Sequence, residues 1–185
     1  MTERRTQIGV IGDSTCPPEV EELAYQVGRE LGKRKAILLS GGRGGVMEAA
    51  SKGCKEEGGL TVAILPTHTG EEANAYVDVR LPTGMGWTRN SFVAMASDAL
   101  IVVGGRSGTL SEIAYGWMYD KPVVALTADG VEGWGPKLAG SPIDNRRDDQ
   151  VWAEETPAGA VARAFNLAAE RGRGEGKAAP TNPLP

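Results

Sequence analysis

The chain has 185 residues, 41% apolar and 24% charged, with a net charge of −4. That length suits one domain with a substantial core and leaves too little for two. The acidic balance argues against a nucleic-acid-binding face, which is usually basic, and no apolar run nears the roughly 20 residues of a membrane span.

In chain order, residues 7–11 read as a short buried strand, closed by Gly12, Asp13 and Ser14. Pro17 and Pro18 suit a helix start, and Val20, Leu23, Ala24, Val27 and Leu31 recur at helical spacing. A second strand, 36–39, ends in Ser40, Gly41, Gly42, Arg43, Gly44 and Gly45, and Val46, Ala49, Ala50, Gly53 and Cys54 stripe the next helix. Residues 61–65 make a third strand, 67–75 a polar loop, and 76–81 a further short strand. Thr88 is placed to cap a helix over 89–97.

Residues 99–103 form the next strand and stop abruptly at Gly104, Gly105, Arg106, Ser107, Gly108 and Thr109. A helix over 110–120 follows, then Lys121, Pro122 and a strand at 123–126. Residues 129–150 read as irregular surface and 157–170 as an amphipathic helix. The Gly/Pro-rich residues 171–185 read as a disordered tail, so the expected domain spans 1–170.

Strands alternating with helices predict an α/β fold, a three-layer, Rossmann-like, doubly wound, mostly parallel sheet. Its ligand crevice lies at the strand carboxyl ends, where the strand order reverses. Three glycine turns, 12–14, 41–45 and 104–109, then converge on one cleft.

The turn at 104–109 is the leading phosphate cradle. It presents backbone N–H groups and a helix dipole worth roughly 0.3–1 kcal/mol per charge. The other reading is a glycine turn that serves helix–sheet packing alone. Gly41 to Gly45 do not form the P-loop pattern, and the dinucleotide pattern is missing after the first strand. Arg43 reaches a ligand or faces water.

Glu112 has two readings as well: a carboxylate facing the crevice, or the last member of a capping box begun by Thr109. Arg89 opens a helix against its dipole, which suits an anion site or a salt bridge. Beside Glu112 it would keep that carboxylate ionised, and the pair could support an oxocarbenium-like transition state. Trp87 either stacks on a planar ring or serves the surface. Trp117 reads as core or subunit interface, Asp98 as a cap or turn, and His68 as an exposed loop residue. Cys16, Cys54 and the lone His68 leave no Cys/His metal site.

The run Gly84-Met85-Gly86-Trp87-Thr88-Arg89-Asn90, with Gly104 through Glu112 and the Ser40–Met47 loop, resembles the LOG-like Rossmann superfamily. That superfamily was long labelled "possible lysine decarboxylase". The resemblance covers roughly residues 7–126. Its best-known members are cytokinin-activating phosphoribohydrolases with an Arg-Lys pair and P-G-G-x-G-T-x-x-E. Arg89 and Glu112 match the two catalytic positions, and Gly105, Gly108 and Thr109 match the phosphate loop. Asn90 stands where Lys is expected, Gly104 replaces Pro, and Arg106 replaces the second Gly.

Those departures resemble a sister branch, the molybdenum cofactor carrier proteins, which hold a phosphorylated pterin without turnover. Arg106 fits neither branch: it contacts phosphate or narrows the cradle. The resemblance implies a bound nucleotide monophosphate or molybdenum cofactor, no required cofactor, and a homodimer or homotetramer. The expected ligand set is Gly12, Asp13, Ser14, Gly41, Gly42, Arg43, Gly44, Gly45, Arg89, Asn90, Gly104, Gly105, Arg106, Ser107, Gly108 and Thr109.

Two functions stand open: a cytoplasmic carrier or sensor of a phosphorylated nucleotide or pterin, and a hydrolase releasing a base from AMP-type substrates. A lysine decarboxylase is not expected, because no lysine stands in a glycine turn to form a Schiff base. Neither a nucleic-acid nor a membrane partner is expected.

Overall fold

The computed structural model describes residues 4–172. Seven strands run in the order β4-β3-β2-β1-β5-β6-β7: β1 Gln7–Gly12, β2 Ile37–Ser40, β3 Leu60–Leu65, β4 Val79–Pro82, β5 Ala99–Val103, β6 Val123–Leu126 and β7 Val151–Glu154. Every pairing is parallel. The sheet is therefore wholly parallel where the sequence predicted mostly parallel. β1 pairs with β5 in the register Gly12↔Val103, so the order reverses at β1, as the doubly wound pattern requires.

Side chains alternate across the strands and build a core on each face. Ile8, Val10, Ile101 and Val103 join one core with Val20, Ala24, Val27 and Leu31 of α1 (Pro18–Lys33). Ala50 and Cys54 of α2 (Val46–Glu56) and Ala160, Val161 and Ala164 of α6 (Pro157–Gly172) belong to the same core. On the other face Leu100 and Val102 meet Val93 and Ala94 of α3 (Asn90–Ala96) and Ile113 of α4 (Ser107–Met118). The result is three layers.

Besides the 3-10 turn Gly86–Arg89, two elements were absent from the sequence reading. β7 is an edge strand in which only Val151 is fully buried, ending in Glu154 without the apolar run that marks β6, and α5 (Trp134–Leu138) breaks the "irregular" stretch 129–150. α5 contains Gly135 and Pro136, poor helix formers. Trp134 N and Gly135 N reach instead to Gly105 O and Gly104 O at 2.9 and 3.0 Å. Tertiary bonds hold what propensity would not.

α4 also begins three residues earlier than expected, inside the glycine run. Thr88 caps nothing: a 3-10 turn, Gly86–Arg89, runs straight into α3 with no side-chain cap. Arg171, expected at the head of the tail, belongs to α6 and pairs with Asp120 and Asp149. The rest of that tail, 173–185, lies outside the described residues. Among the described residues no helix is long and apolar enough to cross a membrane.

α1 and α2 approach so closely that a Cβ on Gly28 would lie 2.0 Å from Ala50 O. Gly28→Ala must push the helices apart and should cost about 2–3 kcal/mol in urea unfolding. Gly58→Ala, where the added Cβ meets no atom within 4 Å but φ is +76, should lose only about 1 kcal/mol. Equal losses would show that the helix pair is not tightly seated.

Candidate functional site

The β1–β5 reversal leaves a cleft of about 260 Å³ at the strand carboxyl ends. Gly12, Asp13 and Ser14 enter it from the end of β1, and Arg43 from the loop before α2. Arg89 and Asn90 come from the 3-10 turn and α3. Arg106, Ser107, Gly108, Thr109 and Glu112 come from the start of α4. Thr15, Met47 and Trp87 complete the wall. Trp87 is 74% exposed.

Six expected residues do not line this cleft. Gly41 sits behind Arg89: a Cβ there would fall 2.4 Å from Nη2, so only glycine leaves room for the guanidinium. Gly42, Gly44 and Gly45 shape the turn into α2, where Val46 N donates to Asp13 O at 3.0 Å. Gly104 and Gly105 open onto a neighbouring cavity. At Gly105 φ is +109, a conformation that side chains resist.

At the start of α4, Leu110 N donates to Arg106 O at 2.9 Å. The amides of Ser107, Gly108 and Thr109 have no acceptor among the described residues. Free amides at a helix start favour an anion. Asn90 braces this turn: its Nδ2 donates to Gly108 O at 3.2 Å and to Ser111 Oγ at 2.8 Å. Ser111 Oγ in turn donates to Gly108 O at 2.6 Å. These bonds fix the turn without using the amides of Ser107, Gly108 and Thr109.

Thr109 lies within α4, whose N-cap position is Arg106, and no side-chain cap is made. The capping-box reading of Glu112 is therefore overturned. Arg89 Nη1 instead donates to Glu112 Oε1 at 3.0 Å, with the side chains 6% and 8% exposed. Burial raises the Glu112 carboxyl to about 7, although Arg89 works against that shift. Burial likewise lowers Arg89. Arg89 favours the ionised carboxylate, as expected, but burial acts in the opposite direction and is the larger of the two.

Arg106 stands at the cleft mouth, its side chain 82% exposed and Nε 3.7 Å from Asp13 Oδ1. Trp117 is buried in place: Nε1 donates to Asp144 Oδ1 at 2.8 Å, and the Arg147 guanidinium lies 4.0 Å from the ring. Asp98 is a turn residue that accepts from Gln7 N at 2.8 Å.

Asn74 and Gly133 were missed. Asn74 Nδ2 donates to Gly42 O and Arg43 O at 3.2 and 3.0 Å and clamps the second glycine loop. Gly133 packs against Gly104 and Gly105 just before α5. Neither carries a local signal, since one sits in a polar loop and the other in a Gly/Pro cluster. Their partners lie 28 or more residues away.

A wholly parallel, doubly wound sheet with its cleft at the reversal of strand order defines a Rossmann-like α/β protein. More specifically, the chain belongs to the SLOG cluster4 family, whose model matches residues 5–161. It is 48% identical over 120 residues to an uncharacterized protein of Archaeoglobus fulgidus, covering 65% of this chain and 79% of that one. To a cytokinin riboside 5'-monophosphate phosphoribohydrolase of Mycobacterium marinum it is 32% identical, over 66% of this chain and 72% of that one. The solved molybdenum cofactor binding protein of Rippkaea orientalis superposes with a TM-score of 0.75 at 31% identity, covering 90% of this chain and 99% of that one. The LOG-like kinship expected from Arg89 and the Gly105–Glu112 run therefore holds.

The Glu112 shift sets a pH dependence. Its folded value, about 7, lies above the ordinary 4.5, so the folded state binds the proton more tightly than the unfolded chain. The stabilisation this brings is complete below pH 4.5 and lost as pH rises through 7. Relative to Glu112→Gln, which does not titrate, wild-type stability should fall between pH 4.5 and 7 and then level off. Urea unfolding across that range measures it, and a constant difference would contradict the shift.

Proposed function

We propose that this protein binds a small phosphorylated ligand, a nucleotide or a pterin, and serves as its carrier or sensor. The observation that carries this reading is the row of unengaged amides at Ser107, Gly108 and Thr109, beside the guanidinium groups of Arg43, Arg89 and Arg106. Backbone N–H groups take the phosphate and the arginines neutralise its charge. Gly12, Asp13 and Ser14 face the sugar or ring from the opposite wall, and Trp87 offers a planar surface at the mouth.

Two facts favour holding over turnover. Asn90 occupies the place of the hydrolase lysine, and its amide is spent on bracing α4. The molybdenum cofactor binding protein of Rippkaea orientalis also matches nearly the whole chain. Residues lining the cleft include no lysine; Lys137 lies in the neighbouring cavity with its ammonium over Trp134. A Schiff-base decarboxylase has no nucleophile there.

A hydrolase reading keeps one specific support, a Glu112 carboxyl near neutrality beside Arg89. A group with that affinity can donate or accept a proton at physiological pH. In self-association we assign the contact to the α3–α4 side, where Met95, Met118 and Tyr119 are exposed.

Calorimetric titration with AMP should show saturable binding that drops by about 10-fold or more, roughly 1.4 kcal/mol, in Gly108→Leu, which fills the cleft. Incubation with AMP or an N6-substituted AMP should release no free base. Base release that disappears in Glu112→Ala would replace the carrier by the hydrolase.

A further inference from the structure

The proposed cleft, about 260 Å³, is small against the ~300–1,000 Å³ usual for ligand sites. It does not end at Arg106. A second cavity of about 910 Å³ adjoins it, and Asp13, Thr15 and Arg106 belong to the walls of both. Arg106 is the partition. Its Nε stands 3.7 Å from Asp13 Oδ1 with the side chain 82% exposed. A solvent-exposed pair of that kind contributes below about 1 kcal/mol, so the guanidinium is free to turn towards a ligand.

The floor of the second cavity is the Gly104–Gly105 turn, whose carbonyls already accept from Gly135 N and Trp134 N. Besides Asp13 and Arg106, its charged walls are Glu19, Glu132 and Lys137. Two carboxylates against one ammonium disfavour another phosphate in that space. They accept hydroxyl donors well. Anionic character is thus welcome at the α4 start and at Arg106, and unwelcome beyond.

We propose that the ligand is a pyrophosphate-bridged nucleotide occupying both cavities. One phosphate rests on the amides of Ser107, Gly108 and Thr109, the second meets Arg106, and an uncharged sugar or nucleoside fills the larger cavity. This rests on the anchoring of a phosphate at α4 proposed above and narrows its ligand class.

Calorimetric titration of the whole chain with AMP, ADP-glucose and ATP tests it. ADP-glucose should bind about 10-fold tighter than AMP, the yield of one charge-assisted contact plus a buried sugar. ATP, carrying extra charge towards Glu19 and Glu132, should bind more weakly than ADP-glucose. The ratio of ADP-glucose to AMP affinity should fall to near one in Arg106→Ala. It should fall likewise in Glu19→Trp, which fills the second cavity from its exposed lip. AMP binding without a gain for ADP-glucose overturns the two-cavity ligand and leaves the anchoring intact. A gain that survives both substitutions also overturns it. Failure of AMP and ADP-glucose alike to bind sinks this inference together with the nucleotide form of the proposed function.

Discussion

Taking a guanidinium and a carboxylate out of water costs several kcal/mol per ion, offset only when the two meet closely. Arg89 and Glu112 meet at 3.0 Å, and the rest of the cleft is arranged around that contact. It ties the 3-10 turn before α3 to the body of α4. It also explains Gly41, whose missing side chain is the space the guanidinium fills. An alanine there would not merely crowd a loop; it would separate the ions and leave each buried alone.

Around this pair the backbone is held ready. Asn74 clamps one glycine turn, Asn90 and Ser111 brace the next, and α5 closes behind Gly104 and Gly105. These contacts satisfy the carbonyls of the loops while leaving amides at the α4 start unengaged. Asymmetry of that kind favours an anionic guest, because no donor has to be released before it binds. The parallel sheet supplies the platform, since the same reversal of strand order brings the β1 and β5 ends side by side.

Much of this was visible in the residues themselves. The apolar run at β5 and its abrupt stop in glycines identified both the strand and the turn. Regular spacing at Val20, Ala24, Val27 and Leu31 identified α1. Readings stayed open or failed where local pattern and tertiary contact disagree. Thr109-x-x-Glu112 has the form of a capping box, yet α4 starts at Ser107 and Glu112 turns to Arg89. β7 is an edge strand without an apolar run, and α5 is one short turn that rests on hydrogen bonds to a loop some thirty residues earlier.

The sequence by itself determined the α/β alternation and the glycine turns; that Arg89 and Glu112 meet in one cleft came from the tertiary structure. The alternation and the turns are written in periodicity and residue type, which act over a few neighbours. Only the tertiary structure decided how the charges settle. Burial, which no local pattern reports, moves Glu112 towards neutrality despite Arg89. It also showed that Arg106 stands between two cavities, because cavities exist only where distant segments fail to fill the space between them.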